Sequence, residues 1–321
     1  MTELSIMIEG QDGVNWPIWK SLVEEVEALG FAGLFRSDHY TNARAPEKDS
    51  LEMVVSLAYL AEHTRRIHFG PLVAPVSFRE PTMLARQAAA LDDLSGGRML
   101  LGLGAGWQDR EHEMFGHNLG SMKERMDRFE EGVEVASKLL TSDEPVSFEG
   151  RYFHLREAIL LPRPERPGGP PILIGGSGRK RTLPLVARYA GQWNSVNPTI
   201  EDFREMSSHL DDLLRQEGRE PGDVKRSIMT MVIFGRTRED LQKRLDKPPF
   251  NSPSLADKSL DEKIAAWRDE RHVLVGNGEE IAAQLRALSE AGVEEVMTQW
   301  FQLDDIEGLR HYAEDVLPRL G

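Results

Sequence analysis

The chain has 321 residues, 40% of them hydrophobic and 29% charged, and no cysteine, which excludes disulfides, thiolate metal sites and a cysteine nucleophile. Its 39 basic and 53 acidic side chains leave a net charge of −14, which argues against nucleic acid as a partner. No stretch nears the roughly 18 uninterrupted apolar residues of a membrane span, so no membrane partner is expected. Met1-Thr2-Glu3 runs into an apolar strand without the basic and apolar segments of a secretory leader, so a cytoplasmic location is expected.

Leu4 to Glu9 alternates as a strand, and Trp16 to Leu29 carries apolar residues at helical spacing before Gly30, a natural C-cap. Phe31 to Arg36 is the next strand. Ile67 to Val73 is a strand, Pro81 to Leu94 a helix opened by proline, and Arg98 to Leu103 another strand. Helix Lys123 to Leu140 and a hairpin from Pro145 to His154 follow. Strand Ile172 to Ile174, helix Arg179 to Tyr189, strand Gln192 to Val196, helix Ile200 to Gln216 and strand Ser227 to Phe234 continue the alternation. Helix Glu279 to Glu290, strand Val293 to Met297 and a last helix from about Asp304 complete it.

Eight short strands alternating with helices, with no shift in composition between the halves, fit an α/β chain folded as one (β/α)8 TIM barrel over 1–321. A doubly wound open sheet is the alternative. That fold more often carries its glycine fingerprint after the first strand, where this chain has only Gly10-Gln-Asp-Gly13. The stretches 104–122 and 236–272 exceed ordinary loop length and are expected to be insertions at the C-terminal mouth of the barrel, shaping a pocket or forming a lid. Thr237-Arg-Glu-Asp240 in the second fits a capping box.

If the barrel holds, functional groups belong where strands give way to helices. The strand Ile172 to Ile174 has no polar face and empties into Gly175, Gly176, Ser177 and Gly178, whose backbone N–H groups can approach an anion, with phosphate the expected guest. Arg179, Lys180 and Arg181 add three positive charges there, although a plain strand-to-helix turn would use the same glycines. In Ser37-Asp38-His39-Tyr40, His39 changes charge near neutrality and is the leading general acid or base; a structural pairing with Asp38 is the competing reading. His112 and His117 are five apart with Gly116 between them, off a common helical face, so no metal site is expected. The run Gly102-Leu-Gly-Ala-Gly106-Trp107 lacks the dinucleotide spacing, and its small residues would suit a tight strand exit beneath a flat aromatic ligand. There is no nucleophile elbow and no Walker loop.

Taken in order, Ser37-Asp38-His39, Arg79-Glu-Pro81, Asp93 to Arg98 leading into Gly102 to Trp107, Phe148-Glu-Gly-Arg-Tyr152 and Pro171 to Gly178 resemble the bacterial luciferase-like monooxygenase superfamily. The resemblance is to the branch using the deazaflavin coenzyme F420, with the FMN branch as the alternative. It implies an insertion-bearing barrel that transfers a hydride between F420 and a small organic substrate, a homodimer, and a reductase supplying reduced cofactor. It places Asp38 and His39 beside the cofactor ring, with His39 relaying a proton. Pro71, Leu72 and Val73 would press on the back of the ring, with a non-proline cis peptide between Pro71 and Leu72. Gly104, Ala105 and Trp107 would line its face or edge, Gly175, Gly176, Ser177, Gly178 and Arg179 would hold its phosphate, and Asn194 would close the pocket. Arg179, Lys180 and Arg181 would meet the acidic oligoglutamate tail of F420.

The sugar-phosphate dehydrogenases of the family carry a glutamate where this chain has Trp107, which puts their substrate chemistry in doubt. An aromatic wall there suits a planar or hydrophobic substrate, packing of the barrel rim being the other use of a tryptophan. A non-catalytic flavin or deazaflavin carrier is a different functional class, and a barrel aldolase or phosphosugar isomerase is a third, disfavoured by the absence of a lysine at the obvious strand ends.

Overall fold

The computed structural model describes residues 2–320. Among the described residues there are twelve strands: β1 (Glu3–Ile8), β2 (Gly33–Arg36), β3 (His68–Pro71), β4 (Ala74–Pro75), β5 (Leu101–Gly104), β6 (Val146–Glu149), β7 (His154–Ala158), β8 (Ile172–Gly175), β9 (Gln192–Val196), β10 (Lys225–Phe234), β11 (Leu274–Gly276) and β12 (Glu295–Gln299). Nine run side by side in the order β3-β2-β1-β12-β10-β9-β8-β5-β4, all neighbours parallel, and β6 and β7 form a separate antiparallel hairpin. β3 and β4 are two halves of one strand broken at Leu72-Val73, which brings the nine to the eight strands expected. The ring closes where the Phe69 carbonyl accepts from Leu100 N–H at 2.8 Å and the Phe69 N–H donates to the Arg98 carbonyl at 3.1 Å. The fold is a TIM barrel.

Eleven helices follow in chain order: α1 (Trp16–Leu29), α2 (Met53–His63), α3 (Pro81–Ser95), α4 (Asp109–Phe115), α5 (Met122–Thr141), α6 (Thr182–Tyr189), α7 (Ile200–Gln216), α8 (Arg238–Leu245), α9 (Leu260–Ala265), α10 (Gly278–Glu290) and α11 (Ile306–Val316). Local signals set their ends. Asn15 caps α1 by accepting from Ile18 N–H, and Gly30 ends it at φ 94, a conformation that favours glycine. Ser121 with Glu124 and Thr237 with Asp240 form capping boxes at α5 and α8. None of the helices is long and apolar enough to cross a membrane among the described residues.

Three expectations are corrected and two elements are added. The third strand is interrupted, and its non-proline cis peptide lies between Leu72 and Val73, one residue later than expected. The helix expected from Arg179 begins at Thr182, because residues 179–181 form a turn in which the Gly178 carbonyl accepts from Thr182 and Leu183 N–H. Helix α2 and the short strand β11, which pairs with the upper end of β10, were not anticipated. α2 carries apolar residues around much of its circumference and so shows weak helical periodicity.

The barrel interior is layered. At the N-terminal end of the strands, fully buried Glu295 accepts from Ser5 Oγ (2.6 Å), Gln192 Nε2 (2.8 Å) and Lys225 Nζ (2.9 Å) and pairs with His68 Nε2 (2.7 Å). Above this floor, Met7, Phe35, Leu72, Leu173 and Met297 form an apolar plug. The large core lies outside the strands, between sheet and helices. Residues 236–272 build a smaller core of their own, with Leu241, Phe250 and Trp267 packed on Ile233 and Val275.

Candidate active site

Side chains two residues apart on a strand share a face, so the positions just beyond the plug form the inner ring of the mouth. From Met7, Phe35, Leu173, Met229 and Met297 these are Glu9, Ser37, Gly175, Met231 and Gln299. Asn194, whose Nδ2 reaches Met297 Sδ inside the barrel, points to Val196 as the next inner position on β9. Glu9 is tied down by Gln299 Nε2 at 2.6 Å and Gln11 Nε2 at 2.9 Å, while Ser37 Oγ donates to Gln11 Oε1 at 2.6 Å.

The Ser37-Asp38-His39 segment leaves β2 with its two charged groups in different partnerships. Buried Asp38 takes a bidentate pair of bonds from Arg79, Nε at 2.8 Å and Nη2 at 2.7 Å, and Arg79 Nη2 also meets Glu52 at 2.9 Å. Burial raises the Asp38 carboxyl above its usual range, and Arg79 works against that rise. His39 pairs through Nδ1 with Glu111 Oε1 at 2.8 Å, and the other oxygen of Glu111 accepts from Tyr40 N–H at 3.0 Å. Glu111 is 1% exposed and lies in the first turn of α4. Burial pushes the His39 pKa down, but the hydrogen bond and charge of Glu111, reinforced by Glu9 and Asp38, more than reverse this and leave it above its ordinary value. With Nδ1 engaged, Nε2 is the ring nitrogen left to handle a proton. Trp107 stands edge-on to the imidazole, ring centroids 5.6 Å apart, and is 60% exposed, so it does not pack into the rim.

Sequence reading expected the glycines of the fourth strand to leave room for a flat ligand. Gly104 leaves room for Val73, while Gly102 makes way first for the Pro71 carbonyl, 1.9 Å from where its Cβ would stand. A Cβ on Gly104 would come 2.4 Å from Val73 Cγ2, and Cβ atoms on Gly102 and Gly175 would each come 3.3 Å from Val73 Cγ1. The Leu72-Val73 bulge therefore pushes Val73 against three glycines on β5 and β8, and Val73 provides the wall. Ala105 and Gly106 continue the strand exit, with the Gly106 carbonyl accepting from Arg125 Nη1 at 3.0 Å.

In the glycine loop, Gly176 N–H donates to the Asn194 carbonyl (2.9 Å) and its own carbonyl accepts from Trp193 Nε1 (2.8 Å). The N–H groups of Ser177, Gly178, Arg179, Lys180 and Arg181 have no protein acceptor among the described residues, and Ser177 to Lys180 are exposed. The three basic residues behave differently. Arg179 pairs with Glu205 at 2.7 Å, Arg181 is clamped by Glu130 at 2.6 Å and Asp127 at 2.7 Å, and Lys180 has no carboxylate partner among the described residues. Asn194 is 1% exposed and bonds Ser227 Oγ at 2.9 Å, one layer below the mouth. Pro71 lies on β3 beneath the bulge.

Glu9 and Glu111 carry no site role in the sequence motifs, and Arg79, present in the Arg79-Glu-Pro81 motif, gains its role from its bonds to Asp38. Glu111 carries one local signal, an acidic residue in a first helical turn after Gln108, but its partner lies 72 residues away. At the opposite end of the barrel, Glu3, His68 and Glu295 bring one ligand-type atom each within 4.8 Å of one another, with the Lys225 ammonium bonded to both carboxylates.

A family model described as luciferase-like monooxygenase matches residues 9–295. The chain belongs to the luciferase-like monooxygenase family. It is 29% identical over 326 residues to the F420-dependent glucose-6-phosphate dehydrogenase of Amycolatopsis mediterranei, covering 94% of each chain. It is 27% identical to the 4-hydroxyprotoasukamycin monooxygenase of Streptomyces nodosus subsp. asukaensis, covering 94% of this chain and 86% of that one. Its barrel superimposes on an F420-dependent secondary alcohol dehydrogenase in complex with an F420-acetone adduct at a TM-score of 0.83, with 18% identity and coverage of 100% and 99%. That likeness establishes the luciferase-like barrel fold.

Proposed function

We propose that this luciferase-like protein is an oxidoreductase that moves a hydride between coenzyme F420 and a small organic substrate at the barrel mouth. The observation that carries the reading is the run of five unpaired N–H groups from Ser177 to Arg181, opening beside the wall made by Val73 and Gly175. Such a run suits a phosphate, and the loop packs closely enough on α6 that a Cβ on Gly178 would come 2.7 Å from Thr182 Oγ1. The relatives named as F420-dependent dehydrogenases support the choice of coenzyme.

When bound, the deazaflavin supplies or accepts the hydride; the chain's own residues do the rest. Gly175, Gly176, Ser177 and Gly178, with Arg179 and Lys180, would hold the phosphate and tail. Pro71, Leu72 and Val73 would back the ring, and Gly104, Ala105 and Trp107 would border it. Asn194 supports the floor of the pocket from below. His39 holds or passes a proton at Nε2, Glu111 fixes its orientation, and Asp38 with Arg79 braces the strand end. A second enzyme would return the coenzyme to its starting redox state.

The test is titration of cofactor-stripped protein with F420 and, separately, with FMN, followed by fluorescence of its six tryptophans. Micromolar F420 binding with FMN at least about tenfold weaker is expected. Tighter FMN binding, or binding of neither, overturns the reading.

A further inference from the structure

The inner ring of the mouth carries an unusual charge pattern for a protein whose relatives include sugar-phosphate dehydrogenases. Its one charged group is Glu9, held by Gln299 and Gln11 and flanked by Ser37 and Gln299 on the neighbouring strands, while Val73, Val196 and Met231 make up the more distant part of the ring. None of the strand-borne inner positions there is lysine or arginine. Two guanidinium groups nearby are paired with carboxylates, Arg79 with Asp38 and Glu52 and Arg110 with Glu47, while Arg125 donates to the Gly106 carbonyl and keeps a buried Nε without a partner among the described residues. Arg271 lies over the Trp267 ring at 4.3 Å.

Two apolar side chains are left bare at this ring. Trp107 is 60% exposed and Val196 is 54% exposed, two barrel strands apart in the order β5-β8-β9. An indole left uncovered beside a titratable imidazole, above an apolar floor, is the arrangement expected of a ligand wall, because burying it against a ligand removes apolar surface from water that folding left exposed. A phosphorylated ligand would instead meet the Glu9 carboxylate, with no lysine or arginine on the inner strand positions beside it.

We infer that the substrate of this site is an uncharged, flat and largely apolar molecule that lies along Trp107 and presents a single polar acceptor to His39 Nε2. The inference rests on the proposed F420 reading for the placement of the coenzyme and goes beyond it in naming the substrate class.

The experiment measures binding of coumarin and of glucose 6-phosphate by calorimetry, to protein saturated with F420 and to stripped protein. Coumarin is expected to bind the F420-loaded protein at least about tenfold tighter than glucose 6-phosphate. Trp107→Ala is expected to weaken coumarin about tenfold or more, with Trp107→Phe restoring most of it. Should Trp107→Ala fail to fold, Val196→Asp reads the same surface and is expected to weaken coumarin comparably. Tighter binding of glucose 6-phosphate, or coumarin binding indifferent to both variants, overturns the inference. Absence of F420 binding in the same titrations defeats the proposed function instead, and coumarin bound by the stripped protein through Trp107 then still upholds the apolar wall.

Discussion

Replacing Glu111 by glutamine removes one charge and keeps the shape of the pair. The carboxylate lies 2.8 Å from His39 Nδ1. At an effective dielectric constant of about 20, the gross attraction to an imidazolium at that distance is about 6 kcal/mol, most of it offset by the desolvation of both groups. A charge-assisted hydrogen bond retains about 1.5–3 kcal/mol, a factor of roughly 10 to 150 in the population of the charged form. With Glu111 neutral, burial is left opposed only by Glu9 and Asp38, both engaged elsewhere, so the His39 pKa is expected to cross from above 6.5 to below it.

The sign for stability follows. In the native chain the raised pKa contributes stability that is fully present below pH 6.5 and is lost as pH rises through the folded value. In Glu111→Gln the dependence inverts, and stability falls as the solution is made more acidic than 6.5. The assay is an NMR titration of the His39 ring resonances in both proteins, with thermal melts on each side of neutrality and the pH profile of turnover. Turnover is expected to fall about 10- to 100-fold with its acid-side limb displaced. Coincident His39 titration curves would refute the argument, since they would mean that the carboxylate does not govern the imidazole.

Other outcomes follow from the same geometry. Gly104→Ala forces Val73 to move and is expected to cost about 1–3 kcal/mol and to weaken F420 binding; adding Val73→Ala should recover most of the stability, and no recovery in denaturant melts would sever the link between the two. Glu295 has its pKa lowered to about 2 by His68, Lys225 and Ser5 despite burial, so its contribution is present above pH 4.5 and lost as pH falls toward 2. Glu295→Gln is expected to destabilise the barrel by about 3–5 kcal/mol near neutrality and to flatten that acid dependence in urea titrations. Lys180→Ala is expected to weaken F420 a few fold at low salt and little at high salt, whereas Arg181→Ala should act mainly on stability through the loss of its bonds to Glu130 and Asp127. Equal salt dependence of F420 affinity in the Lys180 variant and the native chain would remove Lys180 from the coenzyme contact.

The sequence by itself determined what depends on near neighbours. The strand and helix alternation, the caps at Asn15, Ser121 and Thr237, the turn at Gly30 and the glycine loop at 175–178 are all written within a few residues of where they act, because backbone hydrogen bonds and conformational preferences are local. Eight such units with short connections leave the barrel as the favoured closure. What only the tertiary structure decided is which groups meet across it. Arg181 looks the same as Lys180 in sequence, yet helix α5 brings two carboxylates to the first and none to the second. Gly104 could have made room for a ligand, but the break at Leu72-Val73 fills that room with a side chain from the neighbouring strand. His39 could have paired with adjacent Asp38; instead Arg79 takes Asp38 and Glu111 takes His39, because adjacent residues leaving a strand point to opposite sides and meet partners from different segments, the loop before α3 and the first turn of α4. Charge and proton affinity in this site are set by those long-range contacts, since electrostatic energy depends on distance and burial, neither of which a linear sequence states.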